Sequence, residues 1–197
     1  MSHADLLDAV WAAVPPEAEP ERFALRRDWL LARVSPGDKV LDLGCGAGEF
    51  AAALGAHEAI AVAVDAAPEA VRRAKERGVD ALLVKPDAPL PFTEAQFDTV
   101  WIGETLEHLV DPVGALHEVR RVLRPRGRLL ATTPDHPPAL LRALADDPDR
   151  FAEHFSPRTD HLRFFNERSL RALLTDLGFQ DVEIDSDGTT LFAHARW

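Results

Sequence analysis

Glycine residues are concentrated in one short stretch of the chain, Lys39 to Phe50, with the sequence KVLDLGCGAGEF. Val40, Leu41 and Leu43 favour a short buried strand, and the glycine-rich run at 44–48 favours a tight loop before a helix. Glycine is needed where the backbone turns sharply or approaches a ligand closely, because a Cβ atom would block either. The next helix would direct its free N–H groups and positive dipole end at the loop. The stretch therefore predicts a binding seat for the polar part of a nucleotide-like ligand.

The same loop departs from the dinucleotide-binding fingerprint G-x-G-x-x-G/A. Glu49 stands where that fingerprint has a small residue, and Asp42 lies two residues before the first glycine. A carboxylate at this position would repel a pyrophosphate but suits a cationic amino-acid ligand. The sequence D-L-G-C-G-A-G resembles the first motif of class I S-adenosylmethionine-dependent methyltransferases. The resemblance implies that several residues here bind the cofactor: Asp42, Gly44, Cys45, Gly46 and Gly48.

Two later segments extend this resemblance. Asp65 ends the second predicted strand, at 59–64, where an acid can accept both hydroxyls of a ribose, and Ala66 follows it. The segment 86–92 resembles the family's loop D-A-x-x-L-P-F in a shortened form. The resemblance implies that Asp87, followed by Ala88, reaches the adenine amino group. A proline-rich surface loop is the alternative interpretation of this segment.

Two carboxylates and an imidazole follow the fourth predicted strand. Glu104, Glu107 and His108 are spaced i, i+3 and i+4, so they share one face if this turn is helical. Such a set could hold a divalent metal ion. The E-x-x-E-H arrangement resembles the ubiquinone-pathway catechol O-methyltransferases and the enzymes that methylate the 2′-hydroxyl at small-RNA 3′ ends. The resemblance implies a metal bound by these three residues. The RNA-methylating enzymes add a later histidine, which matches His161 in T-D-H-L-R-F-F-N.

Each of these residues also has a simpler role. His108 could be a general base without a metal, and Glu104 could contact the methionine end of the cofactor. Glu107 could be a solvated helix carboxylate, and His161 could bond to nearby backbone. His136 and His154 are runner-up acid–base candidates. His117 is expected to face solvent on its helix.

The elements that must position these residues alternate between strands and helices. Five strands separated by helices predict a doubly wound, parallel α/β sheet, and the two strands of a final hairpin, one of them antiparallel, bring the total to seven. Ligands of such sheets bind at the carboxyl ends of the strands, where the predicted site residues would converge. One domain of residues 1–197 is expected, with a helical cap at 1–36 and a partly helical insertion, or lid, at 134–165.

Composition limits the class of protein. A formal net charge of −11 argues against broad phosphate-backbone binding, so nucleic acid is an unlikely partner. No apolar run reaches membrane-span length, and the first residues do not resemble a secretory signal. The single cysteine fits a reducing cytoplasm. These features give no oligomeric state and favour a small-molecule methyl acceptor.

The leading hypothesis is a methyltransferase that uses S-adenosylmethionine to methylate a hydroxyl or amine of a small molecule. The alternatives are an RNA 3′-terminal ribose 2′-O-methyltransferase and a non-catalytic protein that binds the cofactor. A nicotinamide dehydrogenase is a more distant fourth possibility.

Overall fold

The computed structural model describes residues 3–86, 88–156 and 161–197, and the side chains from residue 6 onward. The helices are α1 (His3–Ala13), α2 (Phe23–Leu31), α3 (Glu49–Ala56), α4 (Pro68–Glu76), α5 (Pro112–Val122), α6 (Pro138–Ala145), α7 (Pro148–His154) and α8 (Glu167–Asp176). The strands are β1 (Lys39–Leu43), β2 (Ile60–Asp65), β3 (Ala81–Leu83), β4 (Phe97–Gly103), β5 (Leu123–Pro134), β6 (Gln180–Ser186) and β7 (Thr190–Arg196). A single 3-10 turn, Leu106–His108, follows β4.

The seven strands form one sheet in the order β3-β2-β1-β4-β5-β7-β6. The β5–β7 and β6–β7 pairs are antiparallel and the other pairs are parallel, which confirms the predicted doubly wound sheet with a final hairpin. The registers bring Leu43 opposite Val64 and Gly103 opposite Thr132. The carboxyl ends of the central strands therefore meet at one edge of the sheet, as ligand-binding sheets of this type require.

Side chains from both faces of β4 and β5 are fully buried, as expected for a parallel sheet covered on both sides. Trp101 and Leu130 belong to the apolar cluster that includes Leu30 of α2 and Phe50 of α3. Neighbouring residues of the same strands belong to a second cluster, with side chains from α5 and α8: Val100, Ile102, Leu129 and Ala131. Alternation along each strand thus sends odd and even positions to different helical layers.

The two N-terminal helices have different contacts. α2 packs on the sheet, where Leu30 is fully buried and the ring of Trp29 lies 6.4 Å from that of Trp101. α1 packs on α4 instead: the Asp8 carboxylate accepts a hydrogen bond from the amide of Glu69 at 2.7 Å. The two helices of the segment 1–36 therefore pack on different parts of the molecule, α2 on the sheet and α1 on α4.

Local features complete the description of the fold. β5 begins at Leu123, and Arg126 within it has a positive φ of 66°. The segment 134–165 contains α6 and α7, so it is partly helical as predicted. Asn166 caps α8, because its side chain accepts a hydrogen bond from the Ser169 amide at 3.0 Å. Among the described residues, no helix combines the length and apolar character needed to cross a membrane.

Candidate functional site

A cavity of about 400 Å³ opens at the carboxyl ends of β1, β2 and β4. Five of the residues predicted to bind the cofactor line it, together with His108: Gly44, Asp65, Ala66, Ala88 and Glu104. α1 forms part of its wall through Leu7, Val10 and Trp11, and Val14 follows the helix in the same wall. The topology therefore brings residues far apart in sequence to one cavity, at the place that the strand order predicts.

The glycine loop makes close contacts with its surroundings. Gly44, Gly46 and Gly48 all have positive φ, at 79°, 54° and 85°. A Cβ atom on Gly44 would lie 2.3 Å from the Thr105 hydroxyl, and one on Gly46 would lie 2.6 Å from the indole of Trp11. Side chains larger than hydrogen are therefore excluded here both by the backbone conformation and by neighbouring residues.

Asp65 joins the loop to the end of β2. One carboxylate oxygen accepts a hydrogen bond from the Gly46 amide and the other from the Ala67 amide, both at 2.9 Å. Burial raises the pKa of Asp65, while these amide donors lower it. A carboxylate has about four acceptor sites, so Asp65 keeps acceptor capacity for ligand hydroxyls at the cavity wall.

Asp42 and Cys45 lie beneath the cavity rather than in its wall. Asp42 is 1% exposed, and burial, with Asp65 as a second cause, raises its pKa to about 8. Burial also raises the pKa of the Cys45 thiol, so this cysteine is an inert part of the loop. Gly46 and Gly48 are also absent from the cavity wall, and Trp11 covers Gly46.

Arg26 is a site residue that the sequence analysis missed. It is 2% exposed, its Nε atom donates to the Thr132 hydroxyl at 3.0 Å, and the same atom lies 3.8 Å from Oε1 of Glu104. Burial lowers the pKa of Arg26, and the charges of Glu104, Glu107 and Asp42 oppose that effect. One arginine on an amphipathic helix gives no sequence signal of its own. Its only hint was a charged side chain near the apolar positions of α2.

The four residues proposed as metal ligands separate into two groups. Glu107, His108 and His161 each offer a ligand atom, and these atoms lie within 4.8 Å of one another. Glu104 is outside this cluster and pairs with Arg26. The reason is the backbone: the 3-10 turn covers only Leu106–His108, and Glu104 has φ 53°, so it does not share a helical face with the other two.

Glu107 is buried, not solvated. It is 1% exposed, and burial together with the charge of Glu104 raises its pKa to about 8. Oε2 of Glu107 accepts a hydrogen bond from the Thr133 hydroxyl at 2.9 Å. Oε1 has no hydrogen-bond partner in the part of the chain that is described, and it lies 4.0 Å from Nε2 of His108. The rings of His108 and His161 meet edge to face, with centroids 4.8 Å apart.

The loop between β3 and β4 forms another wall. Asp87, the predicted adenine contact, lies outside the described residues, while Ala88 lines the cavity. Arg121 of α5 anchors the loop, because it donates to the carbonyls of Leu90 and Phe92 at 3.0 and 2.7 Å. Glu118 accepts from the Leu90 amide at 2.8 Å.

The other candidate histidines lie away from this cavity wall. His136 is 4% exposed, with its ring centroid 5.2 Å from that of His154 and 5.0 Å from that of Phe164. Burial lowers the pKa of His136, which favours its neutral form. His117 is exposed on α5, as predicted.

Comparison with known proteins identifies the family. The methyltransferase domain family matches residues 17–184. A ubiquinone biosynthesis O-methyltransferase of Xanthomonas campestris is 31% identical over 169 residues, covering 80% of this chain and 70% of that protein. The chain belongs to the S-adenosylmethionine-dependent methyltransferases. A second relative of this methyltransferase is the 27-O-demethylrifamycin SV methyltransferase of Amycolatopsis mediterranei, 35% identical over 144 residues, which cover 64% of this chain and 53% of that protein.

Solved structures share the fold. The complex between the Haloferax volcanii Trm112 methyltransferase activator and a methyltransferase contains a chain that superposes with a TM-score of 0.78 at 24% identity, covering 99% of this methyltransferase and 97% of that chain. A methyltransferase from Aquifex aeolicus superposes with a TM-score of 0.68 at 20% identity, covering 100% and 98%. The overall fold is therefore common to this methyltransferase and to both solved structures.

Proposed function

We propose that this methyltransferase transfers the methyl group of S-adenosylmethionine to a hydroxyl of a small aromatic molecule, an acceptor with a second oxygen beside the reacting one. The observation that carries the proposal is the Glu107–His108–His161 cluster beside a cavity that already has the features of a nucleoside site. His108 belongs to both, because it lines the cavity and contributes to the cluster.

The cavity wall supports an orientation for the cofactor. Asp65 is suited to the ribose hydroxyls, and Ala88, with the loop that carries it, to the adenine. Glu104 would accept hydrogen bonds from the ammonium group of the cofactor's methionine end. Arg26, beside Glu104, is the neighbouring cation for the cofactor's carboxylate. Asp42, Cys45, Gly46 and Gly48 then support the loop from below, and Asp87 remains a predicted adenine contact.

Methyl transfer from a sulfonium is an in-line displacement with a good leaving group. The protein therefore needs mainly to align donor and acceptor and to remove the acceptor proton. Without a metal ion, we assign proton removal to His108, since it is the imidazole in the cavity wall. Leu109 and Val110 follow it in the same wall and offer an apolar surface to an aromatic ring.

A divalent metal ion fits the cluster. Two imidazoles and a carboxylate are a common donor set for divalent transition ions, and buried Oε1 of Glu107 has no other hydrogen-bond partner among the described residues. When bound, such an ion would lower the pKa of an acceptor hydroxyl. We therefore propose Glu107, His108 and His161 as its ligands, with Glu104 assigned to the cofactor.

The RNA alternative has less support. Among the described residues that line the cavity, Lys85 is the basic one, whereas Asp65, Glu104, Asp111 and Glu118 are acidic. The net charge of −11 also opposes binding to a phosphate backbone. The names of two relatives also support a small-molecule acceptor, because one methylates in ubiquinone biosynthesis and the other methylates 27-O-demethylrifamycin SV.

The test has two stages. Calorimetry with S-adenosylhomocysteine should give a saturable 1:1 isotherm, and no heat with this compound would refute cofactor binding. Purified enzyme with labelled S-adenosylmethionine should then methylate a catechol such as 3,4-dihydroxybenzoate. It should leave 4-hydroxybenzoate and the 3′-terminal ribose of a small RNA duplex unmethylated. Elemental analysis, with Glu107→Ala and His161→Ala, tests the metal. Full activity of both variants without metal would remove it from the proposal.

A further inference from the structure

Two adjacent threonines, Thr132 and Thr133, stand near the carboxyl end of β5, and both are fully buried. Successive residues of a strand point to opposite faces of the sheet. The clusters below them fix which face is which, because Leu130 packs with the α2 and α3 side and Ala131 with the α5 and α8 side. Thr132 therefore lies on the α2 and α3 side of the sheet, like Leu130. Thr133 lies on the α5 and α8 side, like Ala131.

Thr132 holds Glu104. Its hydroxyl accepts from Nε of Arg26 at 3.0 Å, and the same nitrogen lies 3.8 Å from Oε1 of Glu104. The Glu104 amide also donates to the carbonyl of Thr132, at 2.9 Å. These contacts fix the carboxylate although its own backbone has an uncommon positive φ of 53°.

Thr133 holds Glu107 on the other face of the sheet. Its hydroxyl donates to Oε2 of Glu107 at 2.9 Å, which leaves the buried Oε1 atom turned toward His108. In both glutamates, Oε1 is buried and has no hydrogen-bond partner among the described residues. Glu107 is therefore held at one oxygen by Thr133, and Glu104 is held through its amide and Arg26. Each glutamate keeps Oε1 for a ligand.

We propose that Thr132 and Thr133 are positioning residues that divide the two glutamates between two tasks, Glu104 for the cationic end of the cofactor and Glu107 for the metal. This inference rests on the proposed function, and it explains why two acids three residues apart do not act together. The two glutamates are separated because adjacent residues of β5 point to opposite faces of the sheet. Thr132 positions Glu104 on one face, and Thr133 positions Glu107 on the other.

The experiment replaces each hydroxyl with a methyl group of similar size. Thr132→Val should weaken S-adenosylhomocysteine binding about tenfold or more and leave Mn²⁺ affinity unchanged, whereas Thr133→Val should do the reverse. Calorimetry measures the first affinity, and electron paramagnetic resonance of free Mn²⁺ measures the second. Thr132→Ser and Thr133→Ser keep the hydroxyl and should restore each affinity to within about threefold of wild type.

Thr99→Val provides the matched control. Thr99 is also fully buried, on β4, and its hydroxyl accepts from Arg128 at 3.2 Å away from the cavity. It should change neither affinity. Two valine variants that lower both affinities together, or neither, would overturn the division of tasks. Wild-type enzyme that binds the nucleoside but no Mn²⁺ would overturn the Thr133 half, whereas wild-type enzyme that binds no nucleoside refutes the proposed function itself.

Discussion

The guanidinium of Arg26, on α2, lies 3.8 Å from the carboxylate of Glu104 at the end of β4. Arg26 also lies over the ring of Phe50, 4.8 Å from its centroid, and donates to the carbonyl of Glu21 at 2.9 Å. A buried cation with this many partners cannot be removed without leaving buried acids uncompensated. The pair links a helix that precedes the sheet to the wall of the cofactor cavity.

Replacing Arg26 should therefore affect one end of the cofactor. We expect Arg26→Met to weaken S-adenosylhomocysteine binding by about tenfold or more, because a charge-assisted hydrogen bond contributes about 1.5–3 kcal/mol. The affinity for 5′-methylthioadenosine, which lacks the amino-acid group, should stay within about threefold of wild type. Calorimetry with both compounds measures the difference.

The control for this prediction is Arg27→Met, one position along α2. Arg27 is bonded to Asp28 on the exposed side of the helix, so its loss should change neither affinity. Equal weakening of both compounds by Arg26→Met would mean that the side chain supports the fold instead of the amino-acid end.

Trp11 provides an optical reporter of the same cavity. Its indole lies against Gly46 and lines the cavity, so a bound nucleoside should change its surroundings. We expect the tryptophan fluorescence of the wild-type enzyme to change on addition of S-adenosylhomocysteine, and Trp11→Phe to remove most of the change. Trp197→Phe is the control, because Trp197 stacks on Arg120 at 3.9 Å, away from the cavity wall. A response that survives in Trp11→Phe would place the ligand elsewhere.

Arg121 should control the order of the loop that carries Ala88. Arg121→Ala removes donors to two loop carbonyls, so hydrogen exchange of the Leu90 amide should accelerate and S-adenosylhomocysteine affinity should fall several-fold. Arg120→Ala is the matched variant, since Arg120 donates to the Leu177 carbonyl on another side of α5. It should leave the Leu90 exchange rate and the affinity unchanged. Unaltered exchange in Arg121→Ala would show that other contacts hold the loop.

Sequence patterns predicted the sheet well because each element carries a local signal. The apolar runs and the glycine loop depend on neighbours within a few residues, and the alternation of strands with helices favours parallel pairing. β5 was less predictable: its first residues pair with Phe97 at a register shift, which no local pattern specifies.

The site was predictable only in part. Glycine spacing and strand-end acids indicated Gly44, Asp65 and Glu104 because topology alone places strand ends together. Arg26 could not be found, since its role depends on the angle at which α2 packs. The prediction that Glu104 and Glu107 share one face depended on a helical turn. No sequence pattern indicates the positive φ of Glu104, which prevents that arrangement.

The buried carboxyl of Asp42 should give ligand-free enzyme a pH-dependent stability. Its pKa in the fold is about 8, above the ordinary value of 3.8, so between these values the folded protein keeps a proton that the unfolded chain releases. Stability must therefore fall as pH rises through this window, by up to about 1.4 kcal/mol per pH unit from this group. Asp42→Asn should remove that contribution.

Urea unfolding of both proteins at pH 5, 6, 7 and 8 measures the effect. The free energy of unfolding of Asp42→Asn should fall less steeply than that of wild type, so the variant gains relative stability toward pH 8. Glu107, whose pKa is also raised to about 8, adds a slope of the same sign, so the profile of the variant is flatter without becoming level. Asp28→Asn, on the exposed face of α2, should run parallel to wild type. Parallel profiles for Asp42→Asn as well would show that Asp42 is ionised in the fold, which its burial opposes.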